Sequence, residues 1–229
     1  MSDEEIDRKI AVIFATDVVG YSKHMETDES ETVKNLRACE KVLMGLFDKH
    51  KARLFNTGGD SFLAEFPSAV SAIECAVEFQ NAIKERNASD KVTVKLEFRI
   101  GINSGDVIKE KGNLLGDGVN IAARLEALAQ TGGITISKGV YDFVKGKTNF
   151  EFNDLGIQKV KQNEFHAFDL LLDENRKRKP KKSININPAK AIMITVVLAL
   201  LIAVSIIVVQ RNNFFGEQLV QKEKKVAST

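Results

Sequence analysis

The hydrophobic pattern of the N-terminal 172 residues switches repeatedly between the period of a strand and the period of a helix. Ile10–Ala15 is a continuous apolar run, typical of a strand buried on both faces. The clearest alternation of apolar and other residues covers Val92–Ile102 and predicts a second long strand. Apolar residues at helical spacing predict a helix over Ser30–Lys49, which either Asp28 or Ser30 can cap.

The other predicted elements begin or end at glycine, serine or turn positions. They are, in chain order, a hairpin of Leu54–Phe55 and Ser61–Phe66 joined by Asn56–Asp60, a helix capped by Ser68, a helix opened by Gly116–Gly118, a strand at Ile134–Ile136, a short helix capped by Ser137, and a hairpin of Phe150–Val160 and Phe165–Leu172. The order β-α-β-β-α-β, followed by further helices and strands, is typical of the ferredoxin-like split βαβ plan. We therefore predict an α+β fold, a sheet with helices packed on it, for one domain over residues 8–172.

A long uncharged apolar run, Ala191–Val209, lies near the C terminus. At about 1.5 Å per residue its nineteen positions span roughly 28 Å, close to the thickness of the bilayer hydrocarbon. A buried core helix is the alternative, but Lys190 and Gln210 bracket the run and no polar stripe interrupts it. We predict a basic juxtamembrane linker at 173–189, a transmembrane helix at 190–210 and a short extracytoplasmic tail at 211–229.

Charge and cysteine content predict where the N-terminal domain resides. Seven Lys and Arg residues lie within 176–190, just before the apolar run, and the positive-inside rule then places the domain in the cytoplasm. The expected location is the inner (plasma) membrane, with a single pass. The two cysteines, Cys39 and Cys75, fall in apolar helical patterns, which suits a reducing compartment. The formal net charge of +2 gives no indication of nucleic-acid binding.

Two acidic residues stand at positions where a sheet can bring them together. Asp17 ends the first buried strand, and Asp60 lies at the tip of the first hairpin after two glycines. In a split βαβ sheet these strands are neighbours, so both carboxylates can converge on one edge. Paired carboxylates beside a backbone that glycine lets approach suit Mg²⁺ ions bridging a polyphosphate. Each aspartate alone is better explained as a turn or capping residue, and only the pair indicates a metal site.

A third polar group lies on the helix that Gly116–Gly118 opens. Asn120 and Arg124 are four positions apart and therefore share one helix face. An amide and a guanidinium on one exposed face suit contacts to ribose and phosphate, since arginine presents a fixed fork to phosphate oxygens. An ordinary solvated helix face explains the same spacing equally well.

Four stretches of the chain resemble, in order, the catalytic domain of class III nucleotidyl cyclases, and most closely that of bacterial adenylate cyclases. They are IAVIFATDVVGYSKHM, RLFNTGGDSFLAEFPSAVSAI, FRIGINSGDVI and LLGDGVNIAARLEALAQTGGITIS. The resemblance covers about residues 8–170 and implies a homodimer, paired head to tail, with active sites in the shared cleft. The implied reaction converts ATP to 3′,5′-cyclic AMP and pyrophosphate in signalling, with two divalent metal ions, Mg²⁺ or Mn²⁺, as cofactors.

The resemblance also implies which residues meet the metals and the triphosphate. Asp17 and Asp60 would hold the two metal ions, with the Val18 carbonyl as an additional ligand. Lys161 stands where the family places a lysine on the terminal phosphates. Backbone N–H groups after the first strand would cradle the triphosphate, and the implied binding residues are Val19, Gly20, Tyr21 and Ser22.

The sugar and the base are implied to meet residues of the third group and two asparagines. Asn120, from the other subunit, would orient the ribose, and Arg124 would stabilise charge on the reacting phosphorus. Asn56 and Asn113 stand where adenylate cyclases usually carry a lysine and an aspartate that read adenine. We expect ATP as substrate, because neither position carries the glutamate or cysteine common in guanylate-selective relatives. GTP is the alternative.

Two other functions compete with this interpretation. Gly58–Phe62 resembles the Gly-Gly-Asp-Glu-Phe hairpin of diguanylate cyclases, but Ser61 stands where those enzymes need an acidic residue. A membrane-tethered and catalytically silent nucleotide-binding or dimerisation module would explain the two asparagines. Against a silent module, the acidic pair and the Asn120 and Arg124 positions all keep the residues that catalysis needs.

Overall fold

Eight strands form one mixed sheet in the part of the chain that the computed structural model describes, residues 7–160, 163–172 and 177–178. The elements are β1 (Arg8–Val18), α1 (Tyr21–Thr27), α2 (Glu29–Lys49), β2 (Arg53–Gly58), β3 (Ser61–Phe66), α3 (Ala69–Ala88), β4 (Phe98–Glu110), β5 (Asn113–Leu115), α4 (Asp117–Leu128), β6 (Ile134–Ser137), α5 (Lys138–Val144), β7 (Glu151–Val160) and β8 (Asn163–Leu171).

The strand order is β2-β3-β1-β4-β6-β8-β7, and β5 pairs with β4 outside this path. The pairings among β2, β3, β1 and β4 are all antiparallel, whereas β4 pairs with β6 in parallel. A hairpin strand next to the first strand, with the fourth strand on its other side, is the split βαβ arrangement. The predicted α+β sheet with helices packed on it is therefore confirmed.

The observed bounds of the fourth strand differ from the predicted ones. Alternating apolar residues predicted a strand over Val92–Ile102, but β4 begins at Phe98 and continues to Glu110. The reason is its partner: β1 ends at Val18, which pairs with Phe98, so no strand lies beside the residues before it. Beyond Ile102 the polar residues stay extended because the first half of β1 pairs with them.

A tight corner follows β1, where the short helix α1 runs directly into α2. Asp28 belongs to both helix ends, because its N–H donates to the His24 carbonyl at 3.0 Å and its side chain accepts from the Glu31 N–H at 3.0 Å. The Thr32 hydroxyl also donates to the His24 carbonyl at 3.0 Å. The predicted cap of α2 is thus confirmed at Asp28, whereas α1 itself was not predicted.

One face of the sheet is covered by α2, α3 and α5 and holds the main apolar core. Aromatic rings fill it: Phe14 lies 5.5 Å from both Phe47 and Phe66, measured between ring centroids. Phe79 of α3 packs edge-on against Phe98 at 5.0 Å. We call this the aromatic face.

The opposite face carries α4 and is packed by small residues such as Ala11, Ala15 and Ala122. Here the helix lies directly on the strand beneath it. A Cβ added to Gly101 of β4 would lie 2.1 Å from the Glu126 nitrogen and 2.3 Å from the Ala122 oxygen. No residue other than glycine fits at that point without moving the helix. We call this the α4 face.

Several predicted features lie outside the described residues. These are the transmembrane helix at 190–210, the tail at 211–229, most of the linker at 173–189, and Lys161. Within the described ranges, no helix is both long and apolar enough to cross a membrane.

Candidate active site

The strand order brings Asp17 and Asp60 side by side on the α4 face. Antiparallel pairing of β1 with β3 sets Thr16 opposite Phe62, so the two-residue turn of Gly59 and Asp60 lies beside the end of β1. Gly59 adopts a left-handed conformation with φ of 71°, which closes this tight turn. The Asp60 carboxyl group therefore lies close enough to that of Asp17 for the two to interact electrostatically.

The surroundings of Asp60 disfavour its charged form. Burial, together with the hydrogen bond and negative charge of Asp17, raises the pKa of Asp60 to about 6. Hydrogen bonds from the backbone N–H groups of Asp60 itself and of Val18 oppose the rise. Two carboxylates held together in this way are stabilised by a cation between them.

The donor set fits a divalent cation that is completed by a phosphate-bearing substrate. Mg²⁺ is usually bound in proteins by one or two carboxylates together with substrate phosphates and water. Asp17 and Asp60 supply two carboxylates, and Val18, at the end of the strand, adds a carbonyl next to them. Across the described residues there is no group of three or more acidic, histidine or cysteine side chains that could hold a metal without such help.

Only some of the backbone N–H groups in the segment after β1 are available to bind an anion. The N–H of Val19 already donates to the Glu97 carbonyl at 2.8 Å, so it is engaged within the chain. Gly20, with φ of 66°, precedes α1 and has no side chain to cap it. The N–H groups left for an anion are therefore those of Gly20, Tyr21 and Ser22, where the helix begins.

Helix α4 carries Asn120 and Arg124 over the same face of the sheet as the two aspartates. Its first turn is fixed by Asn103 of β4, a buried side chain whose amide donates to the Gly118 carbonyl at 2.9 Å. Asn120 is exposed. The Nη1 atom of Arg124 is buried and has no hydrogen-bond partner within the described part of the chain. A guanidinium nitrogen in that state is a donor that lacks its acceptor.

The two asparagines lie on strands that contact each other. Asn56 is exposed on β2, next to a bulge that shifts the pairing with β3. Arg53 of the same strand donates to the Gly112 carbonyl at 2.6 Å, immediately before Asn113. The Asn113 side-chain oxygen accepts from the Leu114 N–H at 2.8 Å, which leaves its amide nitrogen as the outward donor.

Known proteins share both the sequence and the fold of this domain. Residues 3–173 match the family model described as the adenylate and guanylate cyclase catalytic domain. The chain belongs to this cyclase family. A protein named "putative adenylate cyclase 3" from Rhizobium meliloti is 44% identical over 165 residues, 72% of this chain and 28% of that protein. An adenylate cyclase from Streptomyces coelicolor is 34% identical over 128 residues, 56% of this chain and 32% of that protein.

Solved cyclase structures superpose on the same region. An adenylate/guanylate cyclase/hydrolase from Silicibacter pomeroyi has a TM-score of 0.67 and 32% identity, covering 74% of this chain and 100% of that one. An adenylyl cyclase from P. aeruginosa has a TM-score of 0.65 at 24% identity, covering 76% and 99%, and shows the shared fold. The chain spans only about a third of the length of the two curated relatives above.

Two charged residues of the cyclase domain that sequence reasoning missed join its acidic pair to α4. Arg99 of β4 is the cross-strand partner of Asp17, and its Nη2 lies 3.3 Å from Asp17 Oδ2. Its Nε lies 2.8 Å from Oε1 of Glu126 on α4. Burial raises the pKa of Glu126 to about 7, against the lowering effect of the Arg99 charge. The sequence signal that could have indicated where α4 crosses β4 is Gly101, which follows Arg99 by two positions in an apolar strand.

Proposed function

We propose that this chain is a metal-dependent adenylate cyclase that converts ATP to 3′,5′-cyclic AMP and pyrophosphate. The observation that carries the proposal is the placement of Asp17 and Asp60, which come from separate stretches, beside each other at the end of β1. Family membership supports the same activity. A signalling role follows from the product, because a cyclic nucleotide serves the cell by being recognised and not as a source of energy.

Each residue of the site then has a task. Asp17, Asp60 and the Val18 carbonyl would hold two divalent cations, which when bound lower the pKa of the ribose 3′-hydroxyl and neutralise the pyrophosphate. The N–H groups of Gly20–Ser22 would face the triphosphate, with Lys161 on its terminal phosphates. Fewer N–H groups are available for the triphosphate than the sequence suggested, because the Val19 N–H donates to the Glu97 carbonyl.

The residues on α4 would act on the sugar and on the reacting phosphorus. Asn120 would orient the ribose so that its 3′-oxygen faces the α-phosphate in line with the leaving group. Arg124 would donate to the α-phosphate oxygens as charge develops there, which lowers the energy of the transition state more than that of the ground state. Among the described residues the Nη1 of Arg124 has no acceptor, and this supports the role because an anion would supply one.

We propose further that the active form is a homodimer and that each cleft combines halves from two chains. Asp17 and Asp60 would come from one chain, and Asn120 and Arg124 from its partner. The two relatives named as adenylate cyclases support ATP as substrate. Asn56 and Asn113 would read the base, and because asparagine both donates and accepts, GTP is the competing substrate.

The direct test uses the purified chain with Mn²⁺ or Mg²⁺ and either ATP or GTP. We expect cyclic AMP from ATP, and loss of product when the cation is chelated. Cyclic GMP as the main product would reverse the base assignment. A folded dimer that yields no cyclic product from any nucleoside triphosphate would show a silent binding module instead, and a dinucleotide product would indicate a diguanylate cyclase.

A complementation experiment tests the composite cleft. Asp60→Ala and Arg124→Ala should each lower turnover by roughly 10²–10³-fold as homodimers. An equal mixture of the two chains should recover about a quarter of the wild-type rate, since half the dimers are mixed and one cleft in each is intact. Heterodimers that form and stay inactive would contradict the shared cleft.

The membrane anchor at 190–210 remains a proposal that rests on the sequence alone. We propose that it tethers the domain to the inner membrane with the cyclase on the cytoplasmic side. The full chain should sediment with membranes and require detergent for release, and a chain ending at residue 172 should not. Release of the full chain by high salt alone would contradict a spanning helix.

A further inference from the structure

An ion-pair chain links the proposed cation site to the helix that carries Asn120 and Arg124. Arg99 contacts Asp17 on one side and Glu126 on the other, with N···O distances of 3.3 Å and 2.8 Å. The Asp17 and Arg99 side chains are less than a third exposed, and that of Glu126 is 12% exposed. These charges therefore interact in a partly desolvated setting, where solvent screening is weak.

The backbone of α4 at Glu126 packs directly against β4. The Glu126 backbone lies over Gly101, at a separation that leaves no room for a Cβ. Any displacement of the Glu126 backbone along this contact therefore requires a shift of α4 against β4. Since Arg124 lies two residues before Glu126, such a shift moves the guanidinium that would meet the phosphorus.

We propose that Arg99 is a positioning residue that sets two properties at once, the cation affinity of Asp17 and the placement of α4. The inference rests on the proposed function, because it assumes that Asp17 binds a cation and that α4 serves a cleft. In a head-to-tail dimer these are different clefts. Arg99 would therefore join the metal half of one active site to the ribose and phosphate half of the other.

The proposal makes opposite predictions for two substitutions. Arg99→Met removes the guanidinium that shares the Asp17 carboxylate, so Mn²⁺ should bind more tightly, by roughly three- to tenfold. Above pH 7, where Glu126 is charged, Glu126→Gln removes the negative charge that holds Arg99 on the α4 side, which leaves the guanidinium to Asp17 and should weaken Mn²⁺ binding by a similar factor. Both should lower kcat, by roughly 10–100-fold, because α4 loses its tie to the sheet.

Cation binding is measured without turnover, on the full chain with an ATP analogue that lacks the 3′-hydroxyl. The electron paramagnetic resonance signal of free Mn²⁺ reports the dissociation constant. Arg8→Met is the matched control, because Arg8 forms an exposed ion pair with Asp106 across the same two strands. It should change neither Mn²⁺ binding nor kcat. Weaker Mn²⁺ binding in both Arg99→Met and Glu126→Gln would overturn the proposal, since a purely structural role lowers affinity in each.

The link between clefts is tested in the mixed dimer of Asp60→Ala and Arg124→Ala chains, which has one intact cleft. Arg99→Met in the Arg124→Ala chain lies beside the working metal site and should shift the Mn²⁺ dependence. Placed in the Asp60→Ala chain, it lies under the working α4 and should lower kcat at an unchanged Mn²⁺ dependence. Identical effects from both placements would overturn the proposal.

Two outcomes separate this inference from the proposed function. If the parent mixed dimer is inactive, the composite cleft fails before Arg99 is tested. If Arg99→Met does not fold, Glu126→Gln decides alone, because glutamine keeps the size of the side chain and removes only its negative charge. An unchanged Mn²⁺ affinity and kcat in Glu126→Gln would then reject the role of Arg99.

Discussion

The two faces of the sheet are held by different chemistry. On the aromatic face, large rings are fully buried between the strands and α2 and α3. On the α4 face, alanine and glycine bring one helix against the strands, and ion pairs of Arg99 and Glu65 lie on the same face. The first arrangement maximises buried apolar area, whereas the second allows close approach and specific charge placement.

The two faces therefore differ in what they contribute: the aromatic face contributes stability, and the α4 face carries the side chains proposed for catalysis. The side chains proposed for the metals and the phosphorus, Asp17, Asp60 and Arg124, lie on or beside the α4 face. Val18, whose side chain is buried on the aromatic face, would supply only its carbonyl. Substitutions on the aromatic face should therefore change the free energy of unfolding and leave the kcat of folded molecules alone. Substitutions on the α4 face should change kcat as well.

The largest effect on stability is expected from Phe79→Ala on the aromatic face. Phe79 is fully buried against Phe98, and its removal should lower the free energy of unfolding by about 3–5 kcal/mol. Urea denaturation measures the loss, and the rate per folded dimer should stay at the wild-type value. Phe79→Leu keeps most of the buried area and should lose much less. A fall in kcat without a fall in stability would break the comparison.

Gly101→Ala should disturb both properties. Its Cβ would overlap the backbone of α4, so we expect a loss of at least about 1–3 kcal/mol together with a lower kcat. Gly45→Ala is the matched control in α2, where no atom lies within 4 Å of the added Cβ. That change should stabilise the helix by about 0.5–1 kcal/mol with kcat unchanged. Equal stabilities in the two variants would contradict the close contact of α4 with β4.

The smallest effect concerns Glu65, which lies on the α4 face away from the aspartates. Burial alone would raise the pKa of Glu65, but hydrogen bonds from Lys9 and Arg53 outweigh it and hold that pKa below its usual range. A lowered folded pKa gives stability that is present above the unfolded pKa, about 4.3, and lost as the pH falls through the folded value.

Glu65→Gln should therefore destabilise the domain near neutral pH by a few tenths to about 1 kcal/mol. It should also flatten the fall in stability below about pH 4.3, where the wild-type carboxylate takes up its proton. Thermal unfolding across pH 3–7 measures both effects. An acid limb as steep in the variant as in the wild type would show that these ion pairs contribute nothing.

The proximity of Asp17 and Asp60 could be predicted from the sequence. The apolar run that ends at Asp17 and the glycines before Asp60 are short-range signals, and strand order alone makes them neighbours. The roles of Asn120 and Arg124 required the family resemblance, because their spacing equally fits a solvated helix face.

The remainder depended on contacts that a single stretch does not reveal. Arg99 occupies the polar phase of an alternating strand, and Glu126 lies on an amphipathic helix, so each resembles a surface residue. Their pairing follows only from where α4 crosses β4. The true bounds of β4 likewise depend on where its partner β1 begins and ends.

The corner at Asp28 has a consequence for the thermodynamics of substrate association. Because Asp28 and Thr32 fasten the end of α1 to the start of α2, the backbone after β1 is held by contacts within the chain itself. A ligand that uses Gly20–Ser22 would find its donors preorganised and would lose little entropy in arranging them. Loosening this corner, as in Asp28→Ala, should thus appear as slower capture and faster release of nucleotide, with an intact chemical step.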